Sequence, residues 1–143
     1  MATQKIVIGA RTSLTISGFS TLTNGSFATS SAYDNTANQP IDLLVEVAAT
    51  QGATTGQINV FAIGSLDNSN YQTGVVTADV SVMTLIGVLP MTTNSTLQRK
   101  MFEVAACFGG EMPPYIKIVC QNSAGSTLTT GTIYTSEVSA TVA

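Results

Sequence analysis

The chain has 143 residues, 44% of them hydrophobic and 9% charged, with five lysines and arginines against eight acids and a net charge of −3. That length supports one domain able to bury a core without metals or disulfides, and that hydrophobic content excludes a disordered chain. The cations Lys5, Arg11, Arg99, Lys100 and Lys117 form no basic stripe, which argues against a nucleic-acid partner, and no apolar run is long enough to span a membrane.

Taken in chain order, the dominant signal is alternation of apolar and polar residues with a period of two, bounded by Gly, Asn, Ser and Pro. Lys5–Ile8 and Thr12–Ile16 read as short strands. Asn24-Gly25 is a turn, and Gly25–Ala32 leads into an Asp- and Asn-rich loop at Tyr33–Pro40. Ile41–Ala49 is the clearest strand, with Leu43, Val45 and Val47 on one face and Asp42, Leu44, Glu46 and Ala48 on the other. A turn at Gln51–Gly56 precedes a strand at Gln57–Leu66, and Asp67–Gly74 is a polar loop. Val75–Val82 and Thr84–Leu89 read as one long or two short strands ended by Pro90.

After a polar link at Thr92–Thr96, a strand is expected over Leu97–Phe108 and a Gly- and Pro-rich turn over Phe108–Pro114. Tyr115–Gln121 pairs back, Asn122–Ser126 turns, and Thr127–Val138 closes the chain. No sustained stripe of helical period is present. The expected fold is an all-β antiparallel β-sandwich of jelly-roll type, a single domain over residues 13–143 preceded by a short arm or edge strand over residues 1–12. Cys107 and Cys120 could meet across a hairpin; buried free thiols are the favoured reading for a protein made in a reducing cytoplasm. The stretch before Ala10 is too short for a secretory signal, so the sequons at Asn24 and Asn94 carry little weight.

Histidine and tryptophan are absent, which removes the Ser-His-Asp and Cys-His constellations, the usual four-ligand zinc site and the commonest general base. Eight acids remain (Asp34, Asp42, Glu46, Asp67, Asp79, Glu103, Glu111, Glu137), without an aromatic platform for a sugar beside them. The runs Asp34–Asp42 and Asp67–Asn70 carry enough oxygens to ligate calcium. Neither has EF-hand spacing, and Asp and Asn are favoured in turns for local reasons. Tyr33 and Tyr71, in loops, are the aromatics best placed to meet a glycan. No cofactor is expected.

The order Leu22–Ser30, Tyr33-Asp34-Asn35, Asp42–Val47, Val60–Asp67, Asn70-Tyr71 and Phe108–Pro114 before a closing hairpin resembles the jelly-roll decoration, or cement, proteins of tailed-phage capsids. The resemblance spans roughly residues 20 to 135. It implies a non-enzymatic virion protein on the capsid exterior that forms a homotrimer and clamps neighbouring subunits of the major capsid protein. It further implies that the N-terminal segment reaches a partner, which would fall here to Lys5, Ile6, Val7, Ile8 and Arg11. A tail or baseplate β-sandwich and a carbohydrate-binding jelly-roll module are the alternatives.

Overall fold

The computed structural model describes residues 3–72 and 80–142. Among these residues ten strands form two sheets, all neighbours antiparallel: β1 (Gln4–Ile8), β2 (Thr12–Leu14), β3 (Phe27–Thr29), β4 (Tyr33–Asp34), β5 (Asp42–Gln51), β6 (Gln57–Ser65), β7 (Thr84–Pro90), β8 (Gln98–Glu103), β9 (Tyr115–Ser123) and β10 (Leu128–Val142). One sheet runs β1-β10-β5-β8 with β2 also on β10; the other runs β3-β9-β6-β7 with β4 also on β9.

The two short pairs are each one edge strand with a register slip. Gln4 faces Val142 and Ile8 faces Val138, but Thr12 faces Thr135, one residue out of step, so a bulge lies at Gly9–Arg11. Phe27 faces Gln121 and Tyr33 faces Ile116, again displaced by one. In that second slip the Ser30 hydroxyl takes a place in the ladder, accepting the Ile118 N–H at 2.9 Å while the Ser30 N–H donates to the Ile118 carbonyl at 2.8 Å. Merging each pair leaves eight strands in the orders 1-8-3-6 and 2-7-4-5, the two interleaved four-stranded sheets of a jelly roll.

The alternation seen in the sequence is what fills the core. Leu43, Val45 and Val47 of β5, Ile58 and Val60 of β6, and Ile116 and Ile118 of β9 are fully buried between the sheets, and Phe19, Met91, Leu128 and Ile133 belong to the same buried cluster. Burial of each such side chain stabilises by about 1.5–3 kcal/mol.

Several elements differ in detail from expectation, among them Tyr33-Asp34, expected in a loop and found as β4. The strand expected over Leu97–Phe108 stops at Glu103, because the Asp42 carboxylate accepts the N–H groups of Val104 and Ala105 (3.3 and 2.8 Å) and starts a 3-10 turn at Ala105–Phe108. The strand expected over Thr12–Ile16 ends at Leu14, leaving Ile16 a single bridge to Ser30. The last strand runs on to Val142. Most of the strand expected over Val75–Val82 lies outside the described residues; Val80–Met83 is a turn.

Cys107 and Cys120 are both free thiols, the first half-exposed in the 3-10 turn and the second buried in β9, where desolvation pushes its pKa far up. A thiol reagent applied to the native protein should therefore label Cys107 and spare Cys120, with both reacting in denaturant. Two labels on native protein, read by mass spectrometry, would contradict this burial.

Candidate interaction surface

β10 is longer than its neighbour. Its last pair with β5 is Val138 with Asp42, yet it continues to Val142, and from Ser139 onward its only partner among the described residues is β1. Gln4–Val7 and Ser139–Val142 thus form a two-stranded ribbon that runs past the sandwich, roughly 13 Å at 3.3 Å per residue. Opposed residues of an antiparallel pair share a face, so Gln4, Ile6, Ile8, Ala140 and Val142 lie on one side and Lys5, Val7, Ser139 and Thr141 on the other.

All of β1 is exposed. Ile6 is 59% accessible, Ile8 63% and Val142 70%, and Ile41, whose N–H donates to the Val138 carbonyl, adds another exposed apolar side chain nearby. Single exposed apolar residues are ordinary; a group at one end of the molecule marks a place for another surface. Among the described residues both edges of the ribbon also lack a strand partner, along β1 on one side and along Ser139–Val142 on the other.

The expected contact residues separate here. Lys5, Ile6 and Val7 are in the ribbon, Lys5 and Val7 on its more polar face, and Ile8 is at its root, opposite Val138. Arg11 is not: the bulge turns it across the outer face of the β10 sheet, where its guanidinium stacks on Tyr134 at 3.3 Å from the ring centroid and donates to Glu46 Oε1 at 2.5 Å. That bond, ahead of the Coulomb attraction, raises the Arg11 pKa. Arg11 ties down the root of the ribbon. Sequence reading missed Ser139, Ala140, Thr141 and Val142 altogether, although the alternation through Val138, Ala140 and Val142 could have extended the strand.

The candidate loops are internally bonded. Asp67 accepts the N–H groups of Ser69 and Asn70 at 2.9 and 2.8 Å, which hold its carboxyl far below the usual range. Asp34 accepts the N–H and hydroxyl of Thr36, with the same direction of shift. Among the described residues no group of three or more Cys, Asp or Glu side chains is placed to hold a metal ion.

Tyr33 lies in β4, half-buried, and donates to Glu137 Oε1 at 2.7 Å; burial and then that bond raise its pKa. Asn38 donates to both oxygens of the same carboxylate at 3.1 Å, beside a cleft of about 350 Å³ between the two sheets. Tyr71 donates to Asn68 Oδ1 at 2.6 Å, and the Lys117 ammonium sits 4.2 Å from its ring centroid. Neither tyrosine stands free as a sugar platform.

No protein-family model matches the chain, and no curated protein matches it. Among solved structures, the K1 cleaved adhesin domain of Lys-gingipain from Porphyromonas gingivalis is similar at 14% identity and a TM-score of 0.41, over 98% of this chain and 90% of that one. The exo-β-1,3-galactanase of Phanerochaete chrysosporium is similar at 13% identity and a TM-score of 0.36, over 96% of this chain and 30% of that one. Likeness at this distance has no bearing on function. The chain is a β-sandwich. No helix among the described residues is long and apolar enough to cross a membrane.

Proposed function

We propose that this chain is a non-enzymatic structural protein of a virion, which attaches to the capsid exterior as a homo-oligomer and stabilises contacts between major capsid subunits. The observation that carries the reading is the β1–β10 ribbon: a sandwich closed on its own core nevertheless carries an exposed apolar extension with two open edges. Such an extension is costly to leave in water and serves a chain that joins other subunits.

Further support comes from where the acids are used. Glu46 holds Arg11, Asp42 starts a 3-10 turn, Asp34 and Asp67 close their own loops, and Glu137 ties Tyr33 to Asn38. Each of these carboxylates shapes the backbone or its neighbours, a structural use rather than proton transfer. The low charge density lowers the desolvation penalty of burying the surface against a partner. The resemblance to capsid decoration proteins supplies the class of lattice. A protein that binds the assembled shell better than free subunits stabilises it by mass action.

The test is sedimentation of purified protein with capsids that lack it. Saturable co-pelleting, with the decorated shells surviving a higher temperature than bare ones, is the expected result. Protein left in the supernatant at micromolar concentration would reject the capsid role, and co-pelleting with isolated tails instead would replace it with a tail position.

A further inference from the structure

Beside the root of the ribbon, where the Ile41 N–H donates to the Val138 carbonyl at 2.8 Å, lies a cavity of about 590 Å³. The loop between β4 and β5 and the turn before β9 wall it, and sites for small ligands run from roughly 300 to 1,000 Å³. Many of its donors are already committed. The N–H groups of Asn35, Ile41 and Gly110 go to backbone carbonyls, the N–H and hydroxyl of Thr36 both go to Asp34, and Pro40 and Pro114 have none to give. Two acceptors are left over. Asn35 Oδ1 is buried without a hydrogen-bond partner, and the exposed Glu111 carboxylate has neither a hydrogen bond nor an ion pair among the described residues. The one bond of the Asn35 amide, from Nδ2 to the Met112 carbonyl, is long at 3.4 Å. Little therefore resists a turn about χ2, a broad torsion in Asn, that presents Oδ1 to the cavity. Much of the remaining wall is apolar, with Ile41, Met112, Pro40 and Pro114.

We infer that this cavity receives a lysine side chain of the partner protein that lies against the ribbon. Asn35 Oδ1 and the Glu111 carboxylate hold its ammonium, and its methylene stem lies on Ile41 and Met112. Three donors on a point charge suit two acceptors carried on separate loops, whereas the planar fork of arginine suits two oxygens side by side. A long cationic side chain also covers apolar surface with its stem while its head stays bonded. Charge agrees: the chain is at −3, and among the described residues Glu46 is the acid that a cation of the chain itself neutralises. Because the cavity adjoins the ribbon, one partner surface covers both.

This inference rests on the reading of the chain as an assembly protein only for the lysine's owner, the capsid subunit; the preference of the cavity is tested without capsids. N-acetyl-lysine N-methylamide is titrated into isotope-labelled protein and followed by amide NMR. Saturable shifts at residues 35–41 and 110–112 are expected, with a millimolar midpoint. Glu111→Gln should weaken binding about two- to fivefold, as should added salt. Glu111→Lys, whose own ammonium takes the place, should abolish it. Both variants should melt with the parent, since Glu111 is exposed and unbonded. No shifts, equal shifts from the uncharged norleucine analogue, or parental affinity in Glu111→Gln overturns the inference. Sedimentation with capsids separates the two readings. Glu111→Lys that pellets as well as the parent overturns the cavity as a contact. A parent that binds the lysine probe but leaves capsids bare rejects the capsid role and leaves the preference of the cavity standing.

Discussion

Asn122→Ala is expected to cost about 3 kcal/mol of stability, a large effect for a polar residue. Asn122 sits in β9 with no exposed surface. Its amide donates to the carbonyls of Leu22 and Ser126, both at 2.8 Å, and its Oδ1 accepts the Ala124 N–H at 2.9 Å. One side chain thereby holds the β9–β10 turn against the loop before β3. Leu22 keeps a second partner in the Leu128 N–H, so removing the amide strands two groups, the Ser126 carbonyl and the Ala124 N–H. Each buried group left without a partner costs about 1–3 kcal/mol. For a domain of this size the melting temperature should fall by roughly 10 °C, from about 3 °C per kcal/mol. The denaturant midpoint should shift with an unchanged slope, because the surface exposed on unfolding is nearly the same. Asn122→Asp should be worse at neutral pH, where the carboxylate cannot donate and a charge is buried. A midpoint for the alanine variant within error of the parent would show that these bonds contribute little.

What the sequence disclosed depended on the periodicity that each element expresses. β5 was legible because both of its faces are written in the chain: Leu43, Val45 and Val47 point inward and Leu44 and Glu46 outward. The slips at Gly9–Arg11 and Ser30–Ala32 were not legible, because a bulge needs no particular residue when its neighbours can absorb the displaced register. Arg11 is the consequence for the site. Sequence places it beside Ile6-Val7-Ile8, whereas the bulge rotates it onto Tyr134 and Glu46. The overrun of β8 has a similar source. The apolar run from Val104 to Phe108 continues a strand pattern, and only the distant Asp42 carboxylate, bonded to two N–H groups there, ends it. Exposure of Ile6 and Ile8 was foreshadowed by a short apolar stretch near the start. Their partners in Ser139–Val142 emerge only when the two ends of the chain are brought together.

Phe19→Ala is expected to have the largest effect of any single truncation considered, about 3–5 kcal/mol for loss of a buried aromatic side chain. Phe19 begins a 3-10 turn after Gly18, whose φ of 78° is readily reached by glycine, and it is completely buried. Its ring lies against the backbone of β10: a Cβ built on Gly131 would stand 2.7 Å from the ring and 2.9 Å from the Phe19 carbonyl oxygen. The Ser20 hydroxyl fixes the same contact by donating to the Gly131 carbonyl at 3.0 Å. Ring and glycine therefore form one fitted pair. Gly131→Ala alone should destabilise by overpacking, commonly about 1–3 kcal/mol. Combined with Phe19→Ala, the new methyl group enters space the ring has left, so the double variant should cost less than the sum of the two single ones. Additive costs in chemical denaturation would mean that the two sites do not touch. Gly131 lies near the start of β10 and the ribbon at its end, with the β5 pairs from Thr132–Ala48 to Val138–Asp42 between them. Phe19→Ala should thus lower the melting temperature without altering the β1–β10 ribbon, whose side chains Ile6 and Ile8 lie outside the core.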